Sequence, residues 1–227
     1  MFNCRIIDEY SYKNISKISS TETLKFSYSF NHPLIDLPTN LKSLFLGEKF
    51  NQELSNLPEG LKFIKLGGEF NKPIDHLPAS LRTLILSKMF TQTIDNLPPK
   101  LDYLMINQFF NNPIDFLPDC LRELHFCDGS FFNYPMDNLP KSLKKLKISK
   151  FYQHEINNLP DSIEELFVGV SIGINFTLNS ELTAIQRHFF DKKIKKFPLN
   201  LKFMYIFREY KYLDELSLQL GEKLIID

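Results

Sequence analysis

Apolar residues recur through most of the chain as L-x-x-L-x-L, each time a few residues after a Leu-Pro pair. The pairs are Leu37-Pro38, Leu57-Pro58, Leu77-Pro78, Leu97-Pro98, Leu117-Pro118, Leu139-Pro140 and Leu159-Pro160, evenly spaced except for one longer step between Leu117 and Leu139. The runs that follow include Leu41-Leu44-Leu46, Leu81-Leu84-Leu86 and Leu143-Leu146-Ile148. Shortly beyond each run stands an aromatic, in the series Phe30, Phe50, Phe70, Phe90, Phe110, Phe132 and Tyr152. A fixed period of about 20 residues is the mark of a solenoid.

Each position in the unit has a physical reason. The fourth and sixth residues of L-x-x-L-x-L share one face of a strand, whose side chains alternate with period two. One short strand cannot bury that face alone, but stacked coils pair each strand with the next and merge the leucines into one core. Strands are therefore predicted near 41–46, 61–66, 81–86, 101–106, 121–126, 143–148 and 163–168, in one parallel sheet in sequence order. Pro, with fixed φ and no N–H, suits the side of the coil away from the sheet. Each Phe is expected to stack on its counterpart one coil away. Asn31, Asn51, Asn71, Asn111 and Asn133 follow the aromatics, and their amides can satisfy backbone groups in a ladder. So short a unit leaves a return arm that cannot hold a full α-helix, and extended or 3₁₀ turns are expected there.

The pattern weakens around Leu178–Leu182, which keep only the leucine frame. It returns with Phe190, Ile194, Phe197-Pro198, Leu201, Met204 and Ile206. At the other end Leu24 and Phe26 match Leu44 and Leu46. About ten coils result, two of them degenerate, with residues 1–20 as an N-terminal cap, 21–207 as repeats and 208–227 as a C-terminal cap. Leu213, Leu216 and Leu220 have helical spacing, so a short helix is expected in that last cap.

Composition narrows the function. Lys plus Arg and Asp plus Glu are 27 each, a net charge of zero, which speaks against nucleic-acid and membrane-surface partners. Three cysteines, Cys4, Cys120 and Cys127, have no framework spacing and read as reduced thiols. The segment 1–20 carries charges and lacks the apolar core of a signal peptide, and no apolar run reaches membrane-span length. The glycosylation patterns at Asn14 and Asn175 carry no weight without secretion. A cytoplasmic protein is expected. The five His and three Cys show no metal-ligand spacing, and no Gly-rich phosphate loop is present. His32 and His76 fall in return arms as surface residues. No cofactor or metal is predicted.

The unit F-N-x-P-I-D-x-L-P-x-x-L-x-x-L-x-L-G closely resembles the FNIP repeat, a short class of leucine-rich repeat found in social amoebae and giant DNA viruses. The match runs over about residues 21–206, with Thr91 and Gln153 replacing Asn. It implies a leucine-rich-repeat solenoid of the β-rich α/β class: a right-handed superhelix of about ten coils with one parallel sheet, a Phe stack and little helix. It also implies protein–protein binding, in the host cytoplasm if the protein is viral. Many relatives carry an N-terminal F-box; here the stretch before the first coil, positions 1–20, is too short for that module.

Function is then sought in what the repeats leave free. The third and fifth positions of L-x-x-L-x-L point to the open face of the sheet. Among them Phe45, Phe63, Ile85, Tyr103 and Met105 fall in consecutive coils and are predicted to form one apolar strip that binds a partner protein. Glu123, His125, Lys145 and Glu165 come next, close enough to suggest acid–base chemistry, but an open sheet supplies no water-excluding pocket and no enzyme is expected. The second position is mostly basic, at Lys42, Lys62, Arg82, Arg122, Lys144 and Lys202, and reads as a solvated rim or as a contact for an acidic partner. The runs "KSLKKLKISK" and "DKKIKK" read as solvated patches. The longer turn in "CDGSFF" near Gly129 reads as drift or a local contact loop. The leading expectation is a non-enzymatic scaffold that binds an unknown protein. The alternatives are a substrate adaptor in ubiquitin transfer, working with a separate ligase component, and a self-associating structural protein that pairs through the sheet edges at its ends.

Overall fold

Two tight turns recur from coil to coil among the described residues. In the first, the carbonyl of the repeat proline accepts the N–H of the leading Leu, as in Leu41 to Pro38 (3.1 Å), Leu81 to Pro78 (3.0 Å) and Leu201 to Pro198 (3.1 Å). Proline has no donor to leave unpaired there, and its carbonyl closes the turn. In the second, the aromatic N–H returns to the carbonyl of the residue that follows the apolar run, as in Phe50 to Gly47 (3.1 Å). Gly67 sits where successive coils nearly touch: a Cβ there would overlap the Gly47 carbonyl oxygen.

The computed structural model describes residues 4–7, 21–169, 190–208 and 210–226. They contain eleven strands: β1 (Cys4–Ile7), β2 (Thr23–Phe26), β3 (Ser43–Phe45), β4 (Phe63–Lys65), β5 (Thr83–Ile85), β6 (Tyr103–Ile106), β7 (Glu123–Phe126), β8 (Lys145–Ile148), β9 (Glu165–Val168), β10 (Phe203–Ile206) and β11 (Leu224–Ile226). All eleven join one parallel sheet in sequence order. The described residues form a β-solenoid of about nine turns. The strands are shorter than the runs predicted for them. The N–H groups of Lys42 and Ser43 both bond the Glu22 carbonyl, at 2.8 and 2.9 Å, so regular pairing starts only after the leading Leu and its neighbour. Return arms carry turns and bends, with no α-helix in them among the described residues.

The core is a set of columns. Leu24, Leu44, Ile64, Leu84, Leu104, Leu124, Leu146 and Leu166 are fully buried along the sheet. Phe30, Phe50, Phe70, Phe90 and Phe110 are fully buried, and Phe132 and Tyr152 nearly so. Their rings stack with centroid spacings of 6.2, 6.2, 6.3, 6.3, 6.2 and 6.1 Å in chain order. Paired strands lie about 4.8 Å apart. The aromatic side of each coil is thus thicker than the sheet side, and wedges stacked this way curve with the sheet on the concave surface.

The ladder of amides forms beside the rings. Asn51, Asn71 and Thr91 each donate their N–H to the Asn Oδ1 one coil earlier at 2.9 Å; Asn133 does so to Asn111 at 2.9 Å and Gln153 to Asn133 at 3.0 Å. A second ladder, which the sequence pattern does not announce, runs along the return arms. Asn96, Asn138 and Asn158 donate through Nδ2 to Asp75, Asp115 and Asp137 at 3.1, 2.9 and 3.0 Å.

One expectation is corrected. The leucine frame around Leu178–Leu182 predicts a coil between 163–168 and 201–206. Instead β9 pairs directly with β10, Glu165 opposite Phe203 and Phe167 opposite Tyr205. The aromatic column makes the same jump, since the Phe190 N–H bonds the Lys150 carbonyl. Leu178–Leu182 themselves, like Asn14 and Asn175, lie outside the described residues. At the C-terminal end α1 (Leu213–Leu220) sets Leu216 against the last coil, 2% exposed, as its spacing predicts.

Candidate interaction face

The concave face carries two columns of side chains. One holds Thr23, Ser43, Phe63, Thr83, Tyr103, Glu123, Lys145, Glu165 and Phe203; the other holds Lys25, Phe45, Lys65, Ile85, Met105, His125, Lys147, Phe167, Tyr205 and Ile225. Phe45, Phe63, Ile85, Tyr103 and Met105 share this face and neighbour one another, but not as an unbroken apolar strip. Lys65 separates Phe45 from Ile85, and Thr83 separates Phe63 from Tyr103. The apolar groups zigzag between the columns, and Phe45 meets Phe63 diagonally, with centroids 4.7 Å apart and planes tilted by 34°. Lys25 stands over the Phe45 ring, its Nζ 5.0 Å from the centroid. The side chains are also less open to solvent than the alternation suggests: four are half-buried and Met105 is 8% exposed. Concave curvature crowds neighbours one strand apart.

The middle of the face is polar and mutually engaged. Tyr103 Oη lies 3.2 Å from His125 Nδ1, and His125 Nε2 lies 3.5 Å from Glu123 Oε2. Burial, aided by Lys145 and Lys147, lowers the His125 pKa to about 4, so the imidazole is neutral at neutral pH. Lys145 pairs with Glu165 at 2.9 Å. The predicted cluster of Glu123, His125, Lys145 and Glu165 therefore does assemble, as two contacts spread over three strands. Lys147 is the deepest cation on the face, its side chain 9% exposed, and pairs with Asp128 at 2.6 Å. Asp128 belongs to the longer turn near Gly129, so those extra residues make a local contact with the sheet. Next to it Cys127 is buried, which pushes its thiol up to about 11, well away from a reactive thiolate.

Two apolar surfaces escaped the sequence reading. Phe167 and Tyr205 stack face to face at 4.2 Å with planes 5° apart, and Phe203 and Ile225 flank them, 45% and 38% exposed. The direct pairing of β9 with β10 makes this patch, and no spacing in the sequence signals it. On the turn side, Met89, Phe109, Phe131 and Phe151 each precede a core aromatic; Met89 is exposed and the three rings are half-buried, with Phe109 and Phe131 5.5 Å apart. The doubled aromatics at 109–110 and 131–132 were the available signal.

The rim column divides in two. Its backbones follow one another from Glu22 through Lys42, Lys62, Arg82, Asp102, Arg122, Lys144 and Glu164 to Lys202. From Asp102 onward opposite charges meet: Asp102 with Arg122 at 3.5 Å, Lys144 with Glu164 at 3.0 Å and Lys202 with Glu164 at 2.5 Å. Before it, Lys62 Nζ and Arg82 Nη1 reach only backbone carbonyls, those of Ser80 and Lys100 at 3.4 and 3.1 Å. Among the described residues no group of three or more His, Cys, Asp or Glu is placed to hold a metal ion, and no helix is long and apolar enough to cross a membrane.

Comparison with known proteins agrees with this geometry. The FNIP Repeat model matches residues 30–68, 50–89 and 132–171. Among solved structures, that of CroV588, a giant-virus protein described as a novel circular LRR protein structure, aligns with a TM-score of 0.69 and 27% identity. The alignment covers 88% of this chain and 29% of that one, so this chain spans less than a third of its neighbour's length. No curated protein matches the sequence significantly. Repeat unit, sheet order and aromatic column concur: the chain carries FNIP repeats over residues 30–89 and 132–171, in a solenoid of leucine-rich-repeat type.

Proposed function

We propose that this protein is a non-enzymatic interaction scaffold that holds a partner protein on the concave face of its sheet. The observation that carries the reading is the aromatic pair Phe45–Phe63. Both rings lie on the face that the core does not need, both keep part of their surface open, and aromatic groups in such places supply most interface energy. The leucine-rich-repeat fold is in general a protein-interaction fold, which supports the same reading. A cytoplasmic setting fits Cys120 and Cys127, which stand as free thiols.

The test is a quantitative pull-down that compares wild type with a Phe45→Ser/Phe63→Ser variant. The two rings are half-buried, so the variant is expected to lose about 1–2 kcal/mol of stability, from pair contact and partial burial, while keeping the fold. Each lost anchor should cost on the order of 2 kcal/mol of affinity. Partners recovered equally by both proteins, with unchanged circular dichroism, would refute the concave face as the binding site.

A further inference from the structure

Around Phe45 and Phe63 the cations and the rings are interleaved, and the cations lack carboxylates. On the face the column reads Lys25, Phe45, Lys65, Ile85. Along the adjoining rim Lys42, Lys62 and Arg82 stand in consecutive coils. All five cations are exposed, and among the described residues none makes an ion pair, not even Lys42 with Glu22 or Arg82 with Asp102, the carboxylates that flank this stretch of the rim. Elsewhere on the same rim every cation meets a carboxylate. Like charges in neighbouring coils repel, and this stretch of the rim has no interleaved Asp or Glu such as Asp102 or Glu164. From the strand spacing of about 4.8 Å, the cluster from Lys25 to Arg82 extends over about 14 Å.

We propose, building on the scaffold reading above, that this part of the face takes an acidic, apolar-anchored segment of a partner protein. The segment's apolar side chains pack on Phe45, Phe63 and Ile85, and its carboxylates meet Lys65 on the face and Lys62 and Arg82 on the rim. Charge complementarity of this kind sets specificity and association rate, while the rings supply the anchor. A single-stranded nucleic acid would use the same charges, but it needs open ring faces on which bases stack. Here Lys25 covers one face of the Phe45 ring and Phe63 packs against it at 4.7 Å, so flat platforms are not presented.

The experiment selects random displayed peptides on the immobilised full chain. Recovered sequences are synthesised and their binding is measured by fluorescence anisotropy. The proteins compared are wild type, Lys62→Glu/Lys65→Glu and Phe45→Ser/Phe63→Ser, each checked by circular dichroism; an oligothymidylate is run as the nucleic-acid probe. The expected result is a consensus in which Asp or Glu alternates with Leu or aromatic residues. Its affinity should fall about tenfold or more in either variant, and should weaken as salt rises past the screening range. Neutral or basic consensus sequences, or an acidic consensus indifferent to the charge reversal, overturn the acidic partner. If those peptides still require Phe45 and Phe63, the scaffold reading survives alone. Peptides that depend on neither pair, or no enrichment at all, overturn both. Binding that needs the lysines but not the rings, or tighter binding of oligothymidylate than of any peptide, also refutes the proposal.

Discussion

Phe90 shows what a single residue carries in this protein. Its ring is fully buried and stacked at 6.3 Å on both Phe70 and Phe110. Truncation to Ala is expected to cost about 3–5 kcal/mol, since the cavity cannot close without shifting two neighbouring coils. Equilibrium denaturation measures it, and an unshifted midpoint would show that the column is not the core. His125 gives a pH-dependent counterpart. Its pKa is lowered to about 4 in the folded protein, so between the ordinary value near 6.5 and about 4 the unfolded chain binds more protons than the folded one. The stability from burying neutral imidazole is therefore complete above pH ~6.5 and declines as pH falls toward 4, by on the order of 3 kcal/mol. The difference in unfolding free energy between wild type and His125→Gln, followed across that range, should shrink with acid; a constant difference would mean that His125 is not held neutral. Asp128→Asn should cost about 1–3 kcal/mol, because Lys147 then stays buried without its countercharge.

At the scale of the coil, backbone hydrogen bonding is shared between rungs. The Asn ladder passes one Oδ1 to the next N–H, and Thr91 interrupts it. Thr91 donates its N–H to Asn71 Oδ1 at 2.9 Å but has no carboxamide to offer the N–H of Asn111. Replacing Thr91 by Asn should restore the rung and raise stability by about 0.5–1.5 kcal/mol, the usual net worth of one hydrogen bond. Asn71→Ala should cost a similar amount or more, since it also strips the acceptor of the Thr91 hydroxyl at 3.2 Å. Thermal melts of the two variants should move in opposite directions; two downward shifts would show that the Thr91 turn cannot accept the Asn geometry. The second turn works by close approach instead, which is why Gly67 can face the Gly47 carbonyl and a larger residue could not without moving the coil.

For the whole molecule, coils couple only to their neighbours, so damage should spread locally. In Phe90→Ala, hydrogen exchange is expected to rise first in β4 to β6 and last in β9 and β10; uniform acceleration would mean that the solenoid unfolds as a single cooperative body. Curvature is the other property at this scale. It comes from a ring column spaced more widely, at 6.2 Å between Phe50 and Phe70, than strands at about 4.8 Å, and it turns the two columns of the sheet inward. Half-burial of Phe45, Phe63, Ile85 and Tyr103 is a result of that curvature, as is the enclosure of Lys147.

Periodicity along the chain is enough to specify the coil. So short a period admits few closed paths, and Leu, Pro and Phe at constant positions name the sheet, the turn and the stack, because each interaction repeats between identical neighbours and needs no distant partner. The face that carries Phe45, Phe63, Ile85, Tyr103 and Met105 follows from strand alternation alone. Tertiary structure decided how far these groups reach solvent, since crowding depends on curvature and hence on the ring column on the other side of the coil. It also decided that β9 meets β10. That jump sets Phe167 beside Tyr205 over a stretch of chain nearly twice the usual repeat, where the period no longer marks which strand comes next. Finally, it decided which rim cations are neutralised. Lys42 and Lys144 occupy equivalent positions in the repeat, and only their neighbours in space, one of them a carboxylate at 3.0 Å, tell them apart.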